Sequence, residues 1–440
     1  MQQIMKSAAT DGNDECAGPG PDFAPGRREL LKGAAAAAVL GFPAVLRAAD
    51  RPIRIGYVSP QTGPYSLFGE TDRYTLEKIQ ALIKGGIQVG AKRYPVEILS
   101  RDSQSNSNKA AEIAGNLILK EKVDLVMPSS TDVTINSIAD QCELNAMPCL
   151  STVQPWQSYF FSRGGKPDKP FDWTYHFFWG LEDIITGFIA MWDSLPTNKR
   201  IGFFFERSVD GEAWSNKDFG FPPAVTKAGY TFVMPPFFQP MSADFSAHIA
   251  EYRKAGVEII AGISLPPDIK TFMAQCHQQG YHPKVVTVGK ALLFPPAVEA
   301  MGDLGQGMST EVWWTPEFPY KSTLTGETSA RIAADYEAAS GKQWTQPLGY
   351  SHALWEVAFD AIKRSGDPHD KAALRDAIVA TDMTTLVGPV RWKGGPVKNV
   401  AKTQVVMGQW VKGRKHKYDL IVVDNTSAKV VPVAAKLKSL

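Results

Sequence analysis

From residue 53 onward, short apolar runs exchange regularly with longer segments of helical period, and this alternation constrains the chain more than any single motif. Residues 53–58, 96–100, 124–127 and 148–151 are short and largely apolar, as strands buried on both faces are. Between them, residues 71–84, 108–120 and 134–145 carry apolar side chains every three or four positions, the spacing of helices that bury one side. Gly85-Gly86 closes the first of these, because glycine takes a left-handed helix end without steric cost. A second series follows at 201–205, 232–234, 259–264, 285–288 and 309–313, with helical stretches at 213–228, 243–255 and 268–279. Strands joined through helices lie parallel with right-handed crossovers, so the chain should form two doubly wound α/β units in series.

The pattern breaks at 171–183 before a long helical segment, which marks a first crossing between units, and a helical region runs from 329 to 380. Residues 388–424 read differently, as short strands separated by a Gly394-Gly395-Pro396 turn and a basic turn, an antiparallel meander. The expected division is therefore 50–173 with 315–388 in one lobe, and 174–314 with 389–440, including the meander, in the other.

Residues 1–49 do not read as fold. Arg27-Arg28 precedes Leu30-Leu31-Lys32, and an alanine-rich apolar run follows at 33–45. As a helix that run reaches about 20 Å, short of the roughly 30 Å hydrocarbon core of a bilayer. A basic start, a short apolar middle and the small residues Ala48-Ala49 resemble a cleaved export signal, and the arginine pair resembles the twin-arginine type. Cleavage near Ala49 would place the mature chain in the periplasm, with Cys142, Cys149 and Cys276 as its cysteines. An odd number in an oxidising compartment implies at least one buried free thiol, and it leaves a Cys142–Cys149 bridge open.

Composition excludes several classes. With 47 basic against 45 acidic residues the net charge is +2, which gives nucleic acid no basic surface to bind. No serine-nucleophile elbow, phosphate loop or zinc-protease helix motif is present, and no serine has a base and an orienting acid at readable spacing, so no enzymatic activity is expected. Gly302, Gly305 and Gly307 shape a turn, and Cys276, His277 and His282 lack a second cluster of ligands, so neither cofactor nor metal is expected. The informative residues lie just past the strand ends, where open α/β sheets hold ligands. These are the loop from Ser59 to Gly69, which includes Tyr65 and Phe68, then Ser129-Ser130-Thr131, then Ser151-Thr152-Val153-Gln154-Pro155-Trp156. Hydroxyls and backbone N–H groups at such helix starts suit a carboxylate; capping by serine and threonine explains any one of them alone.

Taken in order, Thr62-Gly63-Pro64, Phe68-Gly69, Gly85-Gly86-Ile87, Tyr94-Pro95-Val96-Glu97, Asp102, Ser129-Ser130-Thr131 and Ser151-Thr152 resemble the branched-chain amino-acid type of periplasmic binding protein, the type I solute-binding family of ABC importers. The likeness is good over residues 53–157, looser to 307, and returns in Gly388-Pro389-Val390-Arg391-Trp392. It implies two lobes joined by a three-strand hinge, a solute held between them, and docking of the closed form on a permease and its ATPase in the inner membrane. The protein would act as a monomer. A ligand-sensing subunit of the same fold, feeding a regulator, is the alternative.

Carried over by this resemblance, Phe68 matches an aromatic position, Ser129 and Ser130 a serine turn, and Ser151, Thr152 and Val153 a turn that holds a ligand carboxylate. Asp210 and Ser264 fall on loops of the second lobe that face ligand. Lys290 falls where amino-acid binders of the family carry an acid for the ammonium group, and a lysine there would attract an anion instead. All 11 tryptophans lie beyond residue 155, and Trp156 and Trp313 fall near turns where rings stack on solutes. The expected solute is amino acid-like or an aromatic or other organic carboxylate.

Overall fold

In the computed structural model, which describes residues 51–440, the alternation resolves into two large sheets, with two short two-stranded ones beside them. The proposed export signal lies outside the described residues. The first half of the chain contributes β1 (Ile53–Ser59), β2 (Ile87–Val89), β3 (Lys92–Tyr94), β4 (Val96–Asp102), β5 (Leu125–Pro128), β6 (Cys149–Thr152) and β7 (Thr174–Phe177). Then come β8 (Arg200–Phe205), β9 (Thr231–Val233), β10 (Ile259–Ile263), β11 (Val285–Gly289) and β12 (Ser309–Val312). The last five are β13 (Asp382–Thr385), β14 (Gly388–Arg391), β15 (Val400–Ala401), β16 (Val406–Lys412) and β17 (Tyr418–Asp424).

The first lobe is built on a parallel sheet ordered β15-β7-β6-β5-β1-β4, in which Ile55 lies opposite Ile98 on one side and Leu125 on the other. The second is built on a sheet ordered β17-β16-β12-β11-β10-β8-β9, parallel from β9 to β12 and antiparallel through β16 and β17. Strands such as β5, β6, β10 and β11 are buried along their whole length, which is why they read as continuous apolar runs without alternation. In each sheet the chain leaves the first strand toward one side and later returns on the other. The breaks fall between β1 and β5 and between β8 and β10. Crevices at such reversals are where α/β sheets accept ligands.

Several expectations need correction. The strands β7 and β15, assigned from sequence to the second lobe, pair with each other in the first sheet. β7 is not set off by the pattern because aromatic residues, Trp173 before it and Phe178 and Trp179 after it, flank Thr174–Phe177 on both sides. The closing meander is not one sheet: β14 pairs only with β13, β15 runs parallel to β7, and only β16 and β17 form the hairpin that extends the second sheet. The single helix expected at 213–228 is two, Val209–Trp214 and Phe221–Lys227, because Pro222 and Pro223 suit only the first turn of a new helix. The helical region from 329 resolves into Ser329–Ser340, Pro347–Arg364 and Lys371–Val379. Thr328 caps the first of these and Asp370 the last, each side chain accepting a backbone N–H of the opening turn.

Cys142, Cys149 and Cys276 are all free and buried, so no bridge joins the first two. Burial pushes the Cys142 thiol well above its ordinary range, which makes it inert. The chain passes between the sheets three times, at 178–180 after β7, at 313–315 after β12, and at 402–405 between β15 and β16. No helix among the described residues is long and apolar enough to cross a membrane.

Candidate functional site

The loops that leave the carboxyl ends of the two sheets face each other across the three crossings. Each wall is shaped by local chemistry. After β1, Asp102 accepts the backbone N–H groups of Gln61, Thr62 and Gln104 and the Thr62 hydroxyl, which pins the loop that carries Tyr65 and Phe68. Burial opposes the charge on Asp102, but those hydrogen bonds hold its carboxyl below the ordinary value. After β8, the Ser208 side chain caps the short helix Val209–Trp214 by accepting the Gly211 N–H at 3.0 Å. Asp210 and Trp214, four positions apart, then share one face of that helix.

Between these walls lies a narrow cavity with about 30 Å³ of free volume, room for one or two water molecules, so the walls must part to admit a solute. The first lobe supplies Phe68, Thr131, Val153, Gln154 and Pro155; the second supplies Asp210, Trp214, Ile263, Lys290, Leu293 and Glu311; Phe178, Trp179 and Trp313 come from the crossings. Trp313 is held on two sides. Its backbone N–H donates to Gln346, and its ring meets Phe178 and Tyr350 edge-on with centroids 5.3 and 5.2 Å away. Phe68 meets Phe294 edge-on at 4.9 Å, a direct contact between the lobes.

Lys290 dominates the electrostatics. Its ammonium donates to Glu206 and Asp210 at 3.2 Å each, lies 3.6 Å from Asp132, and sits 4.9 Å from the centre of the Tyr65 ring. Burial by itself would lower the ammonium pKa, but Tyr65 and the three carboxylates raise it well above the ordinary value, so the side chain stays charged. Burial lifts Asp132 to about 6 despite the lysine, and lifts Glu311, on the same wall, to about 7. The cation expected to draw an organic anion is therefore already surrounded by acids, and the cluster carries more carboxyl groups than cations.

Much of the remaining polar surface has no partner within the protein. The Thr131 hydroxyl, both amide atoms of Gln154, one oxygen of Asp210 and the indole N–H groups of Trp179, Trp214 and Trp313 are buried without a hydrogen bond. Buried polar groups are rarely left so, and a cluster of them around a cavity marks a place that receives a ligand. The backbone is strained in the same loops. Ser130, Thr131, Val153 and Lys290 have φ of 65, 68, 71 and 65°, a region unfavourable to all four and most of all to β-branched threonine and valine. Such strain, of order 1–3 kcal/mol each, persists where a site requires it.

The residues singled out from sequence divide into two groups. Phe68, Thr131, Val153, Asp210, Lys290 and Trp313 line the cavity, and Tyr65 stands behind Lys290. The others take up contacts inside the lobes. Ser151 Oγ pairs with His176 Nδ1 at 2.9 Å, and the Thr152 hydroxyl donates to the Phe177 carbonyl at 2.6 Å. Ser129 and Ser130 pair with each other at 3.3 Å, and the Ser264 hydroxyl donates to the Leu265 carbonyl. Trp156 donates its indole N–H to Glu182. Sequence reading missed Asp132, Glu206 and Glu311, and placed Gln154 in a ligand-facing turn without singling it out. Asp132 directly follows a residue that was named, Glu206 directly follows a strand, and Glu311 is the one charge in a buried strand. Among the described residues no group of three or more His, Cys, Asp or Glu side chains is placed to hold a metal ion.

Known proteins share this architecture. The family described as periplasmic binding protein is matched over residues 52–415. Leu/Ile/Val-binding protein homolog 7 of Brucella abortus is 23% identical over 355 residues, covering 76% of this chain and 82% of that protein. The leucine binding protein LivK from Thermotoga maritima superposes with a TM-score of 0.68 at 20% identity, over 85% of this chain and 99% of that one. A solute binding protein of an ABC transporter from R. palustris, in complex with 4-hydroxybenzoate, gives a TM-score of 0.68 at 15% identity, over 86% and 99% of the two chains.

Proposed function

Because the chain belongs to the periplasmic binding protein family, whose members are substrate-binding proteins and not enzymes, we propose that it is the extracytoplasmic solute-binding component of an ABC importer. It captures a small organic solute between its lobes and delivers it to a permease and ATPase in the inner membrane. Export by a twin-arginine signal cleaved near Ala49, and action as a monomer, belong to the same reading.

The observation that carries it is the cavity itself. Its walls come from both sheets, it is lined by aromatic rings, and it gathers buried polar groups without partners. Residues of both lobes then contact a bound solute together only in the closed form, so binding favours closure. Similar proteins point to two solute chemistries, leucine for LivK and a hydroxylated benzoate for the R. palustris protein. Both fit the expectation of an amino acid-like or aromatic carboxylate.

The test is mass spectrometry of small molecules released from the freshly purified protein, with thermal shifts against amino acids, aromatic acids and amides. A ligand at one hundred times its dissociation constant should stabilise the protein by about 2.7 kcal/mol. Release of no small molecule, together with no shift across the panel, would remove this reading.

A further inference from the structure

The cavity presents two kinds of polar group, and they select a solute differently. The one cation on the wall is already engaged, while one oxygen of Asp210 stays unpaired and can accept a donor. Lys290 is the only lysine, arginine or histidine on the wall, and its ammonium is enclosed by Asp132, Glu206 and Asp210 with the Tyr65 ring behind. A carboxylate entering the cavity would meet no unengaged cation and would face a surplus of acid. An ammonium-bearing solute would find the convergence point of the three carboxylates filled by the protein's own ammonium.

Neutral groups, by contrast, are unpaired. Gln154 is 1% exposed, lines the cavity, and has neither its side-chain N–H groups nor its side-chain oxygen hydrogen-bonded within the protein. A side-chain amide offers a donor and an acceptor side by side, and the group that satisfies both is another amide, reversed. The indole N–H groups of Trp179, Trp214 and Trp313 add donors with no partner, which suits a carbonyl oxygen with two lone pairs. Leaving such groups unmatched is costly, so a solute without that functionality is rejected strongly. Phe68, Phe178 and Leu293 supply an apolar wall for the rest of the molecule.

We propose that the solute is uncharged and carries an amide-type donor–acceptor pair, as in a carboxamide, lactam or urea, with Gln154 as the residue that reads it. This rests on the solute-capture reading above and narrows it away from both carboxylates and amino acids.

Calorimetric titration of the purified full-length protein, exhaustively dialysed, with benzamide, benzoate and benzamidinium compares three isosteric probes that differ in charge. Acetamide against acetate, with 2-pyrrolidone and urea, repeats the comparison for smaller bodies. An amide should bind at least tenfold more tightly than its carboxylate and amidinium counterparts. Gln154→Leu should lower amide affinity at least tenfold while the circular dichroism spectrum stays that of the unmodified protein. A carboxylate or amidinium that binds as tightly as the amide overturns the proposal, as does full affinity in Gln154→Leu. The probe comparison on the unmodified protein decides the matter if that variant fails to fold. Recovery of an acid or an amine from the freshly purified protein overturns the amide class and leaves solute capture standing. No released molecule and no binding by any probe removes both.

Discussion

Lys290 Nζ, from the loop after the fourth parallel strand of the second lobe, lies 3.6 Å from Asp132 Oδ1, at the start of a helix of the first lobe. One buried ammonium thus joins the two lobes directly behind the cavity, and with Glu206 and Asp210 it forms a cluster of one cation and three acids. The Lys290–Asp132 ion pair joins the lobes only while they are closed, so it adds to the contacts a solute makes across the cleft.

Removing the cation exposes its value. Lys290→Met leaves three buried carboxylates with no counter-ion, which should cost about 3–5 kcal/mol at pH 7.5. Asp132, lifted by burial to about 6 against the pull of the lysine, then takes up a proton more readily, so part of the loss should return at pH 5. Chemical denaturation at the two pH values checks this; an equal loss at both would mean that the cluster is not the cause.

Asp72 gives a pH dependence of known sign. It accepts the Tyr57 hydroxyl at 2.6 Å, and burial lifts its carboxyl from an ordinary 3.8 to about 6, with hydrogen bonds from Ser59, Tyr57 and Ser351 offsetting only part. Between those two values the folded state holds the proton and the unfolded state does not, so this group adds stability as pH falls from 7 toward 4. Asp72→Asn does not titrate. The stability difference between the two proteins should shift in favour of the native chain by up to about 3 kcal/mol from pH 8 to pH 4. A difference that stays flat with pH would refute the assignment.

Ser151 should matter for folding and not for solute. The backbone carbonyl of Gln154 can only accept, so His176 Nε2, 2.8 Å away, carries the proton and Nδ1 accepts from the Ser151 hydroxyl. Burial holds this imidazole neutral, with its pKa down to about 3. Ser151→Ala strands Nδ1 and should cost about 1–3 kcal/mol. The co-purified solute should be retained in full, as mass spectrometry can verify; its loss at unchanged stability would return Ser151 to the binding site.

Gly289 permits one wall of the cavity. A Cβ there would lie 2.5 Å from Cη2 of Trp214, so Gly289→Ala must displace the indole. Overpacking of this kind costs about 1–3 kcal/mol, and here it should also weaken solute binding and alter tryptophan fluorescence. An alanine variant with native affinity would show that Trp214 does not shape the bound state.

How far the site was legible depended on distance along the chain. Phe68, Thr131 and Val153 could be named because each follows a strand closely, and the ends of parallel strands face the crevice wherever the fold is doubly wound. Ser151 and Thr152 sit at an equally suggestive turn, yet their hydroxyls are used by neighbouring strands. Type and position did not reveal direction, because side-chain direction is set by the strand beside it. β15, with two residues, was invisible for a related reason: it exists only because β7 offers it hydrogen bonds.

The sequence by itself determined the α/β class, the two units and the loops that could hold a ligand, since periodicity and turn residues act over a few positions. Only the tertiary structure decided what those loops do together. Lys290 reads alone as a receptor for anions, but its partners Glu206 and Asp210 stand 84 and 80 residues away in the chain. Charge is felt through space and not along sequence, so the meaning of that lysine was settled only when folding brought the acids to it.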